Sequence, residues 1–131
     1  MIQQFKSVFT IDKSTAIPQT TKHIDEPIPK LTIREKGVEK LLQDINPSKA
    51  SGPDEIPNRI LKECASQITP SLTVIFQKSI DTGTLPEDWL NANIACVYKT
   101  GDKHAAENYR SVPLTSVPCK LLEHIVYKHI M

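Results

Sequence analysis

Residues 99–123, KTGDKHAAENYRSVPLTSVPCKLLE, decide how this chain is read. An apolar run, Asn93-Ile94-Ala95-Cys96-Val97-Tyr98, leads into them. A polar turn follows, carrying Lys99, Gly101, Asp102 and Lys103. The chain then returns through Asn108-Tyr109-Arg110 into a second short run at 112–115. This is the pattern of two strands joined by a basic loop. With an arginine on the return strand, such a hairpin can gather several positive groups near one point. That suits a polyphosphate or a nucleic-acid backbone, because the guanidinium fork matches phosphate geometry. The near-continuous apolar run at 94–97 predicts a strand covered on both faces. Pro113 predicts that the return strand lies at an edge, since proline gives no donor to a ladder.

Downstream, Ser116 is a good N-cap and Pro118 falls in the first turn of a helix. Leu121, Leu122, Ile125, Val126 and Ile130 give that helix a broad apolar stripe reaching Met131. A stripe that stays apolar to the last residue predicts a missing partner. His124 and His129 lie about 140° apart round it and cannot share a metal as an i, i+4 pair does.

Upstream, Thr32-Ile33-Arg34-Glu35 reads as a capping box starting a helix at Thr32. Val38, Leu41, Leu42 and Ile45 form its stripe. Gly37 weakens this helix, and Asn46-Pro47 ends it. Asp54 is placed to cap a second helix with Pro57 in its first turn and the stripe Leu61, Cys64, Ala65, Ile68. Thr69-Pro70 starts a third, which Gly83 closes. Leu85, Pro86 and Trp89 make a hydrophobic corner. Trp89, the one tryptophan, anchors that corner, with a base-stacking platform as the alternative.

The 131 residues fit one domain or a piece of one. A 39% apolar and 24% charged composition is that of a soluble globular protein. The net charge of +1 makes no overall demand for nucleic acid, so such a partner must be read from local patches. Cys64, Cys96 and Cys119 are odd in number and widely spaced, which argues against a disulfide framework or zinc site. Each falls on an apolar stripe and reads as a buried small hydrophobe. No signal peptide or membrane span is written in the chain, so an intracellular protein, cytoplasmic or nuclear, is expected. Residues 1–30 read as a poorly structured leader, with a short helix through Phe5, Val8 and Phe9 and a Pro-interrupted linker at 11–30.

Three segments carry a resemblance. Lys49-Ala50-Ser51-Gly52-Pro53-Asp54, followed by Ile56-Pro57-Asn58, is similar to a KA-x-GPDGIPN signature. Gly83-Thr84-Leu85-Pro86-Glu87-Asp88-Trp89 matches G-x-LP-x-x-W. The stretch at 99–123 resembles the fingers hairpin of the same enzymes, the reverse transcriptases of non-LTR (LINE-like) retrotransposons. The three stand in the family's order over 33–131. The resemblance implies that Arg110 first, then Lys99 and Lys103, contact the triphosphate of an incoming nucleotide. It also implies that Lys49, Gly52, Pro53 and Asp54 lie against template RNA. Two departures stand out. Glu55 occupies a position where the family usually has Gly. Where the family reads NYRP-[IV]-SL, this chain has Asn108-Tyr109-Arg110-Ser111-Val112-Pro113-Leu114, which moves the fixed φ by two residues and is expected to remove an N–H from a different rung.

Nucleotidyl transfer needs divalent metals held by carboxylates. In the family, an Asp following an aromatic and a Y-x-D-D turn in the palm supply them, and neither occurs here. The closest carboxylate pairs, Asp25-Glu26, Asp54-Glu55 and Glu87-Asp88, sit in predicted linker, loop and helix start. Residues 31–131 are therefore read as a partial reverse transcriptase domain: an α+β, mostly helical fingers portion with a two-stranded hairpin, lacking palm and thumb. Magnesium is implied only for the full-length parent, with no cofactor bound by this piece. The implied partners are RNA template, deoxynucleotide and the missing palm. The alternatives are a non-catalytic nucleic-acid-binding module, a helical interaction fragment, or a relic.

Overall fold

The apolar stripes fold as helices, and the computed structural model describes residues 27–131. The predicted helix near Phe5 lies outside the described residues. Four helices and two strands follow in order: α1 (Glu35–Gln43), α2 (Asn58–Glu63), α3 (Ala65–Thr82), β1 (Ala92–Tyr98), β2 (Tyr109–Thr115) and α4 (Val117–Ile130). The result is a mixed α+β chain. It divides into two compact units, one of residues 30–94 and 113–131, the other carrying residues 95–112. No helix among the described residues is long and apolar enough to cross a membrane.

The helical unit is built on the predicted stripes. Val38 and Leu42 of α1, Leu61 of α2, Leu72 and Phe76 of α3, and Leu122 of α4 form one buried cluster. Phe76, Leu42 and Val38 have no solvent exposure at all. Trp89 packs edge-on against Phe76 with ring centroids 5.6 Å apart, so it anchors the corner after α3. Gly83 ends α3 at φ 67°, the left-handed conformation that glycine adopts without a Cβ clash.

Several boundaries differ from the sequence expectation. Helix α1 begins at Glu35 with Arg34 as N-cap and no side-chain cap, so the Thr32 capping box does not form. A long-range partner takes that segment instead. The Ile33 N–H donates to Gln77 Oε1 at 2.9 Å, and Gln77 Nε2 donates to the Leu31 carbonyl at 3.3 Å. Asp54 does not cap α2, whose N-cap is Pro57. Its Oδ1 accepts the Ile56 N–H in an Asx turn. Helix α3 begins at Ala65, not Thr69, and Pro70 lies inside it. Cys64 (φ −99°, ψ 19°) is both the last cap of α2 and the first of α3, making a kink where the sequence suggested a continuous stripe. Cys119 is buried and Cys64 half-buried, but Cys96 is exposed, so the three thiols do not share one environment.

Strands β1 and β2 form a two-stranded sheet. The Lys99 N–H donates to the Asn108 carbonyl at 2.8 Å, and two seven-residue strands then pair Tyr98 with Tyr109 and Ala92 with Thr115. β1 is not covered on both faces; all of it is exposed except half-buried Ala95. The pleat alternates. Ala95, Val112 and Leu114 share the half-buried face, and Ile94, Cys96 and Tyr98 point the other way. Antiparallel pairs alternate between bonded and non-bonded rungs. Lys99–Asn108 is bonded, so Cys96–Ser111 and Ile94–Pro113 are both non-bonded. Pro113 therefore takes no donor from the ladder, and neither would a proline at position 111. The two-residue displacement of proline keeps both the face and the rung parity, correcting the expectation of a rung lost elsewhere.

Candidate functional site

The hairpin tip is closed by its own side chains. Gly101 sits at φ 96°, and a Cβ there would lie 2.7 Å from Asn108 Nδ2. That amide nitrogen donates to the Asp102 carbonyl at 2.8 Å. Asp102 Oδ1 in turn accepts the His104 N–H at 2.9 Å. The Tyr98 hydroxyl donates to the Gly101 carbonyl, and the Tyr109 hydroxyl to the Lys103 carbonyl at 2.9 Å. The two rings meet at 5.6 Å and 62°, edge to face. Asn108 and Tyr109 are thus the groups that shape the loop, a role the Asn-Tyr-Arg motif alone did not reveal.

The three candidate cations differ in situation. Lys103 Nζ lies 5.8 Å from the centre of the Tyr98 ring, a cation–π contact on the tyrosine side of the tip. Lys99 and Arg110 are exposed and make no ion pair among the described residues. By the pairing register, Val97 stands opposite Arg110 and Lys99 opposite Asn108. Lys99 and Arg110 are therefore diagonal neighbours on one face, with Cα atoms roughly 7–8 Å apart for such a pair. Two unneutralised cations on one side of a stiffened tip can bind an anion with several oxygens.

The second candidate segment belongs to the helical unit. Lys49 is exposed. Gly52 is buried, and a Cβ there would fall 2.5 Å from Ser116 N and Thr115 C and 2.6 Å from Thr115 O. The loop backbone therefore rests directly on the junction of β2 and α4. Pro53 and Asp54 are half-buried. The Glu55 N–H donates to the Gly52 carbonyl at 3.0 Å, and Glu55 takes φ 54°. The backbone at 55 thus keeps the left-handed shape that suits glycine, the residue usual there in the resembled family. Asn58, 4% exposed, donates from Nδ2 to the Asn46 carbonyl at 3.0 Å and ties the loop's two ends together. Gln77 and Asn58 are the polar anchors that the sequence did not single out.

Among the described residues no group of three or more His, Cys, Asp or Glu side chains is placed to hold a metal ion.

No protein-family model matches the chain. Over 106 residues, 80% of its length, it is 27% identical to the RNA-directed DNA polymerase from mobile element jockey of Drosophila melanogaster. Over 135 aligned residues, 98% of its length, it is 26% identical to the protein of the same name from Drosophila funebris. The chain spans only 11% and 14% of those two relatives.

Proposed function

We propose that this chain, a relative of the reverse transcriptases of LINE-like retrotransposons, forms the nucleotide- and template-facing fingers part of an RNA-directed DNA polymerase and does not extend a primer alone. The observation that carries the reading is the pair of unneutralised cations, Lys99 and Arg110, on one face of the closed tip. Arg110 holds phosphate oxygens of the incoming nucleotide through its fork, and Lys99 adds a point charge. Lys103, engaged with the Tyr98 ring, contributes mainly to the shape of the tip. Lys49, with the surfaces of Pro53 and Asp54, faces the template. Gly52 contributes by letting the loop lie close on the β2–α4 junction. Polymerisation would need palm carboxylates, which this sequence does not contain.

The test is fluorescence anisotropy with a labelled deoxynucleoside triphosphate and the pure chain. Arg110→Ala should weaken binding by about tenfold or more, the equivalent of ~1.4 kcal/mol. Lys103→Ala should change it less. No binding by the unaltered chain, or equal binding by Arg110→Ala, overturns the assignment of the tip. Templated primer extension by the pure chain overturns the claim that it lacks a catalytic centre.

A further inference from the structure

Between α1 and α4, within the helical unit, lies a groove of about 450 Å³. Its floor is aliphatic, from Ile33, Leu41 and Ile125, with Leu41 and Ile125 left half-buried. Its rim is cationic. Arg34, Lys40 and Lys128 border it against one carboxylate, Asp44, and none of the three forms an ion pair among the described residues. Gly37 lies in the wall, and a Cβ built on it would meet nothing within 4 Å. Position 37 therefore faces open space in the groove wall, with room for a larger side chain to project into it, in a helix where alanine would be intrinsically more favourable.

We propose that this groove docks an acidic amphipathic helix of a partner protein. Charge complementarity selects the sign: three unpaired cations against one carboxylate call for a partner face rich in Glu or Asp. The floor selects the contacting groups. Being aliphatic, it fits Leu- or Ile-sized side chains, and among the lining residues the single ring is the His124 imidazole, with no Phe, Tyr or Trp to make a stacking platform. The walls select the partner's backbone form. Both are helices whose central N–H and C=O groups are already paired, so a docked strand would find no ladder and would leave its own backbone unpaired. A helix brings its backbone bonds with it.

The probe is a fluorescein-labelled synthetic helix of repeating Glu-Glu-Leu-Leu blocks. Its twin carries Lys in place of Glu, and labelled oligouridylate serves as the nucleic-acid comparison. The acidic helix should bind the full chain, the lysine twin at least tenfold more weakly. Gly37→Phe, which fills the groove, should lose binding by at least tenfold. So should the double variant Lys40→Glu with Lys128→Glu, which leaves the groove's shape alone. Lys78→Glu, an exposed charge change outside the groove, should bind normally, and circular dichroism melting should find all variants folded. Failure of the acidic helix to bind overturns the proposal, as does binding that Gly37→Phe and the double reversal leave intact. Oligouridylate binding lost in the same variants would make the groove a nucleic-acid surface and overturn it. So would concentration-dependent dimerisation abolished by Gly37→Phe, which would make a second copy the occupant.

Discussion

Two glycines in this chain should respond to the same methyl group with opposite signs. At Gly52 an added Cβ would lie 2.5 Å from Ser116 N and Thr115 C, and 2.6 Å from Thr115 O. Ordinary carbon contacts are near 3.5–4.0 Å, so the loop and the β2–α4 junction must separate by about 1 Å. All three obstructing atoms are backbone, and no rotamer change relieves them. Overpacking of this kind costs typically ~1–3 kcal/mol. At Gly37 the methyl meets nothing within 4 Å, and the helix gains by up to ~1 kcal/mol. For a domain of this size each kcal/mol moves the thermal midpoint by roughly 4–8 °C. Gly52→Ala should therefore melt about 8–16 °C lower at the middle of its range, and Gly37→Ala higher by up to about 4–8 °C. Thermal melts by circular dichroism, with urea titrations to check that the m-value is unchanged, decide it. A Gly52→Ala chain melting at or above the unaltered one would refute the close packing of the loop on the junction. A Gly37→Ala chain melting lower would refute the open wall.

Other outcomes follow from single residues. Glu55→Gly should stabilise the chain by about 0.5–1 kcal/mol, because a side chain at φ 54° costs more than the extra entropy of glycine in the unfolded state; a lower urea midpoint would count against it. Ser116→Ala should leave stability unchanged or raise it, although a working N-cap would lose ~1 kcal/mol: its Oγ is buried, makes no cap bond and has no partner among the described residues. Burial, then the nearby Glu123 carboxylate, push the Cys119 thiol up, so less of it is thiolate at pH 8; exposed Cys96 should react with a disulfide reagent at least ~10-fold faster, checked by mass spectrometry of tryptic peptides.

Much of the helical unit was legible because its determinants are local. The apolar spacing of α1 and α4, Gly83 as a left-handed stop, and Pro118 in the first turn of α4 all act within a turn or two of their own positions; Ser116 stands at the N-cap position, but its hydroxyl makes no cap bond. The start of α1 was not legible because it is set from 44 residues away. Gln77 takes the Ile33 N–H and the Leu31 carbonyl, and these bonds hold the segment where a capping box would have started a helix at Thr32. Pro70 suggested a helix start, since proline is welcome in a first turn. Yet Thr69 and Thr73 hydroxyls bond back to the Ala65 and Thr69 carbonyls while the helix continues past it. Asp54 looked like a cap because sequence spacing does not reveal that Pro57 holds that position and Asp54 closes a tighter turn. At the tip, Lys99, Lys103 and Arg110 were visible as charges. What separates Lys103 from the other two is the Tyr98 ring beneath it, and that depends on register, which becomes countable only when one rung is known.

The alternation of rungs has a further consequence for how copies of this chain meet. The N–H groups at non-bonded positions point away from the partner strand, toward the sheet's outer edges. On β2 those positions include 111 and 113, and Pro113 deletes a donor from the middle of that edge. A foreign strand arriving there would find an incomplete template. On β1 the corresponding positions, 94 and 96, carry no proline, and Ile94 is 55% exposed. The two margins of the sheet are therefore unequal. Strand addition, whether in crowded storage or in early amyloid-like growth, should begin along β1, and a proline placed at position 96 would be the substitution that blunts it.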